Sequence, residues 1–110
     1  MYQENVVLCG ASAYNQKFYL NEDFAALPDS VKDELKVLCA LYVQDVGGVL
    51  TLEFDEEGKL NFRTEAEEND FGYDEIGSVL KIRQIQRTQT ELLESLELFY
   101  RVFFLQENVE

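Results

Sequence analysis

The feature that most constrains the fold is a helical pattern of apolar residues in the last third of the chain. It begins after Asp74, a candidate N-cap, and continues to about Leu105. One straight helix of this length would span roughly 48 Å at ~1.5 Å per residue. A globule of about 100 residues has a radius of gyration near ~13 Å and is only some ~35 Å across. The helix must therefore bend, break or extend beyond the globule.

Two ways of meeting this constraint stay open at the level of sequence. Thr88 and Glu91 have the spacing of a capping box, which predicts a break and the start of a new helix. Alternating steps of three and four residues favour instead a coiled-coil seam that extends towards a partner. The seam positions are Ile82, Ile85, Gln89, Leu92, Leu96, Phe99 and Phe103. The second interpretation predicts a homodimer, with Leu92, Leu96, Phe99 and Phe103 divided between the core and the interface.

An earlier helix is predicted from about residue 28 to residue 45. Pro28 suits the first turn of a helix, and Gly47 and Gly48 end the apolar periodicity. The apolar positions between them are Val31, Leu35, Leu38, Tyr42 and Val46. This spacing is typical of an amphipathic helix with one buried face.

A β-hairpin follows, because apolar and polar residues alternate on both sides of a short acidic turn. One register keeps every large apolar side chain on the same face. It pairs Phe54 with Leu60, Leu52 with Phe62 and Leu50 with Thr64. The turn is then residues 55–59, in which Gly58 supplies a positive φ, and Glu53 lies diagonal to Arg63 on the outer face.

The N-terminal region is less certain, because residues 5–14 suit either a strand or a helix. Two apolar runs, residues 5–9 and 17–20, favour a pair of strands. With this interpretation the chain is a single α+β domain over residues 1–110. The elements follow the order ββ-α-ββ-α, with an antiparallel sheet and two helices packed on one face, the C-terminal one long.

The charge is strongly unbalanced. The chain has 22 Asp and Glu against 9 Lys and Arg, a formal net charge of −13, while 46% of its residues are hydrophobic. Such a chain folds around a core but repels nucleic-acid phosphates and anionic membrane surfaces, so neither is an expected partner. There is no signal-peptide pattern and no long apolar run, and Cys9 and Cys39 lie in apolar segments as expected for buried thiols. We therefore expect a cytoplasmic protein.

The residue types limit the chemistry further. The chain has no histidine, no glycine-rich phosphate loop and only two cysteines, so we predict no catalytic, cofactor-binding or metal-binding residues and no cofactor. Ten acids and two bases lie between Glu53 and Glu75. Their spacing fits no calcium loop, which leaves weak binding of divalent cations as a minor alternative. Another alternative is a nucleic-acid mimic that presents its carboxylates to a basic site.

The basic residues indicate a partner surface instead. Lys81, Arg83 and Arg87 lie in a stretch, residues 76–90, that contains no acid. Phe71 and Tyr73 are aromatic residues in the acidic connection before it. The candidate partner-binding residues are Phe71, Tyr73, Lys81, Arg83, Arg87, Leu92, Leu96, Phe99 and Phe103. The sequence therefore predicts a small acidic interaction or regulatory accessory module, without catalytic activity, that forms a homodimer or binds another protein.

Several short runs carry a family resemblance. They are residues 45–49 (DVGGV), 54–58 (FDEEG), 73–78 (YDEIGS), 91–94 (ELLE) and 103–105 (FFL). With these runs the chain resembles a family of small acidic proteins of unknown function from Gram-positive anaerobic bacteria, over nearly its whole length. The resemblance implies a bacterial cytoplasmic protein and no assigned activity or site.

Overall fold

A computed structural model describes residues 5–106, and within them the chain forms four strands, three helices and one 3₁₀ turn. The strands are β1 (Val6–Ser12), β2 (Lys17–Leu20), β3 (Val49–Phe54) and β4 (Leu60–Glu65). The helices are α1 (Asp29–Val46), α2 (Glu75–Thr88) and α3 (Thr90–Phe103), and the 3₁₀ turn is Glu22–Phe24. The α+β class is thus confirmed, and residues 6–12 are a strand rather than a helix.

The strands form one antiparallel sheet in the order β2-β1-β3-β4. The two hairpins lie side by side, and β1 pairs with β3 in the middle of the sheet. The β1–β3 register shifts between Val7 and Cys9, which is a bulge. The short strand β2 and the strand β4 are left as the two edges.

The register predicted for the β3–β4 hairpin is confirmed. Phe54 pairs with Leu60, Leu52 with Phe62 and Leu50 with Thr64. Gly58 has a φ of 84°, and Asp55 Oδ1 accepts hydrogen bonds from the backbone N–H groups of Glu57 and Lys59 at 2.9 and 3.0 Å. On the outer face Arg63 Nε lies 3.2 Å from Glu53 Oε1. The turn therefore fixes the register that the apolar alternation requires.

Helices α1 and α3 cover the same face of the sheet. Cys9 pairs with Leu52 in the sheet and lies with its Sγ 3.9 Å from Cys39 Sγ on α1. Two residues along β3 on the same face, Phe54 stacks on Tyr100 of α3 with ring centroids 4.2 Å apart. Both cysteines are buried and free, as the sequence predicted.

The C-terminal helical pattern forms two helices, so the long C-terminal helix of the predicted element order is wrong, and the break that the sequence left open is what occurs. Gln89, with φ −113° and ψ 29°, separates α2 from α3. The break falls where the capping box was expected, but its chemistry differs. The Thr88 hydroxyl donates to the carbonyl of Gln84 at 2.8 Å, and no side chain caps the start of α3. Threonine hydroxyls that bond to the preceding turn in this way bend helices.

The packing of α2 also corrects the expected arrangement of two helices on the sheet. Helix α2 contacts mainly α1 and α3 rather than the strands. Its Ser78 Oγ lies 2.7 Å from Tyr42 Oη of α1, and its Lys81 Nζ lies 2.8 Å from Asp45 Oδ2 of α1. Because α2 lies on other helices, a large part of its surface faces solvent.

Candidate interaction surface

The outward face of α2 is apolar along its first half. Ser78, Ile82 and Ile85 face α1 and the core, and Ser78 and Ile85 are buried. On the opposite face the side chains of Ile76, Val79 and Leu80 are 75%, 50% and 59% exposed. Three neighbouring aliphatic residues with this exposure form an apolar stripe one helical turn apart.

The second half of the same face is basic. Arg83 and Arg87 continue the stripe and are exposed, and within residues 5–106 neither forms an ion pair. Lys81 points sideways and pairs with Asp45 instead. Lys81 is therefore already paired within the chain, whereas the guanidinium groups of Arg83 and Arg87 are available to a partner.

The loop before α2, residues 66–74, is held firmly against the β1–β2 hairpin. Tyr14 Oη donates to Asp70 Oδ2 at 2.6 Å and accepts from the backbone N–H of Glu67 at 2.9 Å. The hydrogen bond to Asp70 raises the pKa of Tyr14, although the bond from Glu67 acts against it. Phe71, next to Asp70, is 94% exposed. The loop thus holds an aromatic ring in solvent beside the start of α2.

Tyr73, the other aromatic residue of this loop, is half-buried. Its ring packs on Gly48, where an added Cβ would lie 2.6 Å from the ring atom Cε1. Its Oη lies 3.2 Å from Tyr42 Oη. Burial acts to raise the pKa of Tyr73, but hydrogen bonds with Ser78 and Tyr42 outweigh it and lower that pKa. Tyr73 therefore anchors the loop to α1 and the sheet rather than facing a partner.

The candidate residues on α3 fall into two groups. Leu92 and Leu96 are buried in the core of the single chain. Phe99 is partly buried in an aromatic cluster with Phe24 and Phe104, and its ring centroid lies 4.7 Å from that of Phe103. Phe103 is 67% exposed. The leucines of the predicted seam thus pack α3 into the core of its own chain.

We call six exposed residues on and before α2 the α2 surface: Phe71, Ile76, Val79, Leu80, Arg83 and Arg87. The sequence had singled out Phe71 and both arginines. The sequence pattern does not single out Ile76, Val79 and Leu80, because they also fit the helical periodicity that begins after Asp74. The available signal was that α2 carries apolar residues on two opposite faces, more than one core can cover.

Comparison with known families shows where the chain belongs. The model of a family of unknown function, DUF6145, matches residues 5–108. The chain is a member of this family. No curated protein matches the chain, and no solved structure matches it. The expected origin in Gram-positive anaerobic bacteria stays a prediction.

Metal-binding clusters and membrane-spanning helices are both absent from the part of the DUF6145 chain that the structure describes. Among residues 5–106, no group of three or more cysteine, aspartate or glutamate side chains could hold a metal ion. No helix within that range is long and apolar enough to cross a bilayer. Exposed acids occur on α1, in the β3–β4 turn, in the 66–74 loop and on α3. The α2 surface, with three exposed aliphatic residues on one helix face, is the candidate interaction surface of this DUF6145 member.

Proposed function

We propose that this protein is a cytoplasmic protein-interaction module without catalytic activity, and that its α2 surface docks a second copy of the same chain. The observation that carries the proposal is the exposed apolar stripe of Ile76, Val79 and Leu80 on one face of α2. Fully burying one such side chain is worth about 1.5–3 kcal/mol. Soluble monomers rarely expose large contiguous apolar patches, and such patches usually mark interaction sites. A partner that covers the stripe would account for its exposure.

The charges beside the stripe favour a second copy as that partner. Acids Asp74 and Glu75 lie at the N-terminal end of the α2 surface, and Arg83 and Arg87 lie at its C-terminal end. A two-fold axis near Leu80 would pair two α2 helices antiparallel, with the acidic end of each beside the basic end of the other. The surface is therefore complementary to itself in both apolar character and charge.

This dimer differs from the one that the seam pattern suggested. Leu92 and Leu96 are already used in the core, which leaves Phe103 as the exposed residue among the four predicted on α3. Helix α2 instead offers three exposed aliphatic residues on one face. The proposal therefore keeps the predicted homodimer and assigns its interface to α2.

A cytoplasmic location is supported by the thiols. Cys9 and Cys39 lie with their sulfur atoms 3.9 Å apart and remain free. Free thiols are typical of proteins from reducing compartments.

The experiment is light scattering coupled to size exclusion, on the wild-type chain and two leucine variants. We expect a dimeric mass for the wild type at tens of micromolar, the range in which a dimer of modest affinity is populated. Leu80→Glu should give a monomer, because it buries a charge in the apolar stripe. Leu98→Glu is the matched control, since Leu98 is an exposed leucine on α3, and it should remain dimeric. A monomeric wild type, or equal dissociation of both variants, would contradict the proposal.

A further inference from the structure

A concave region lies between α1 and the β1–β2 hairpin, away from the residues of the α2 surface. It is a cleft of about 460 Å³. Its apolar walls are formed by Ala11 and Phe18 from the hairpin and by Ala40 and Val43 from α1. Its volume falls in the range of ~300–1,000 Å³ that is typical of small-molecule sites.

Small side chains keep this cleft open. Helix α1 crosses β1 and β3 and reaches β2, the short edge strand. Where larger residues would close the gap between helix and hairpin, the chain has Ala11 on one side and Ala40 on the other. Phe18 is half-buried in the hairpin wall, and Val43 is half-buried in the helix wall. The cleft can therefore accept an apolar group without moving the backbone.

The charge of the cleft is opposite to that of the whole molecule. The chain carries a net charge of −13, yet none of the residues lining this cleft is acidic, and Lys17 and Lys36 both line it. Within residues 5–106 neither lysine forms an ion pair. Lys32, one turn before Lys36 on α1, is by contrast engaged with Asp29 and with the carbonyl of Ala25. Two exposed, unpaired ammonium groups thus flank an apolar recess.

We propose that this cleft binds a small amphiphilic carboxylate, such as a medium-length fatty acid. The hydrocarbon chain would lie between Phe18 and Val43, and the carboxylate would lie between the ammonium groups of Lys17 and Lys36. A polyanion fits poorly, because the chain's net charge of −13 repels an extended negative charge. A small phosphate compound fits poorly too, because it could use Ser12, Gln16, Gln44 and the lysines but would leave the apolar walls without a contact. A single carboxylate on an apolar body matches both the walls and the lysines.

The site shares no residue with the α2 surface, since it is formed by the hairpin and α1. Its test is a titration of ¹⁵N-labelled protein with decanoate, below the concentration at which decanoate forms micelles, followed by amide chemical shifts. We expect saturable shifts centred on Ala11, Phe18, Ala40 and Val43. Decanol, which has the same chain without the charge, should bind about tenfold more weakly, because it lacks the interaction with the two lysines.

Two variants separate the charge from the recess. Lys17→Glu combined with Lys36→Glu should weaken decanoate binding by at least about tenfold, as expected when charge-assisted hydrogen bonds are replaced by repulsion. Ala40→Leu should also weaken it, by filling the apolar part while leaving both lysines in place. These three residues are exposed, so the fold should persist, and circular dichroism checks that it does.

The matched control is Lys59→Glu, an exposed lysine in the β3–β4 turn, which should leave binding unchanged. Shifts scattered over the surface, equal binding of decanol and decanoate, or undiminished binding by the double lysine variant would each overturn the proposal. The Leu80→Glu variant should bind decanoate as tightly as the wild type, because Leu80 does not line the cleft.

Discussion

At the scale of single residues, Tyr42 joins three parts of the molecule through one phenol group. Its Oη lies 2.7 Å from Ser78 Oγ on α2 and 3.2 Å from Tyr73 Oη in the loop before it. Burial raises the pKa of Tyr42 to about 12, with the Ser78 hydrogen bond acting against the shift and Tyr73 adding to it. The orientation of the α2 surface therefore depends on a buried hydroxyl cluster.

Replacing Tyr42 with phenylalanine should lower the free energy of unfolding by about 1–3 kcal/mol at neutral pH, because Ser78 is left buried without this partner. The wild type should also lose stability as pH rises from about 10 to about 12, where the unfolded chain releases the Tyr42 proton and the folded chain retains it. The variant should lose less over that interval. Urea unfolding at a series of pH values measures both effects.

Tyr19→Phe is the control for this prediction, because Tyr19 is an exposed tyrosine on the edge strand β2. It should match the wild type in stability and in alkaline sensitivity. If Tyr42→Phe behaved in the same way, the hydroxyl cluster would have no role in holding α2.

At the scale of elements, the turn of the β3–β4 hairpin is locked to the end of α3. Gly58 has a φ of 84°, and a Cβ added there would lie 2.6 Å from Arg101 Cγ and 3.3 Å from Leu105 Cδ1. A glycine is thus required both by the turn and by the helix end that packs over it. The acidic turn and the aromatic end of α3 form one unit.

Gly58→Ala should therefore lower the free energy of unfolding by about 1–2 kcal/mol or more, from the left-handed backbone alone. Gly72→Ala is the matched control, since an added Cβ there meets only Asp70 Oδ1, at the ordinary contact distance of 3.5 Å. It should change stability by less than about 0.5 kcal/mol, as is usual for surface substitutions. Equal effects of the two variants in chemical denaturation would show that the turn does not need its glycine.

The same elements show what could be predicted from sequence. The β3–β4 register was determined, because only one pairing puts Leu50, Leu52 and Phe54 on one face with their partners. The break at Gln89 could not be fixed from the sequence, because the helical periodicity continues through it. Both a capping-box break and a continuous coiled-coil seam stayed open. The break depends on how α2 packs against α1 and how α3 packs against the sheet, and such tertiary contacts cannot be read from the helical periodicity. The α2 surface was found only in part for the same reason, since periodicity cannot distinguish an exposed apolar face from a buried one.

At the scale of the whole molecule, charge limits where two copies can meet. The net charge of −13 makes two chains repel each other over most of their surfaces. Residues 76–90 contain no acid, so the α2 surface is a place where this repulsion is locally relieved. Its acidic and basic ends would also favour one orientation of a dimer over others.

The most direct test of this account is to mix two variants with swapped charges. Arg83→Glu with Arg87→Glu makes both ends of the α2 surface acidic, and Asp74→Asn with Glu75→Lys makes both ends basic while keeping a side chain that can cap α2. All four residues are exposed, so each variant should fold. We predict that each variant alone has a monomeric mass in light scattering and that an equimolar mixture forms a heterodimer. Variants that still dimerise separately, or a mixture that stays monomeric while the wild type is dimeric, would contradict antiparallel docking through α2.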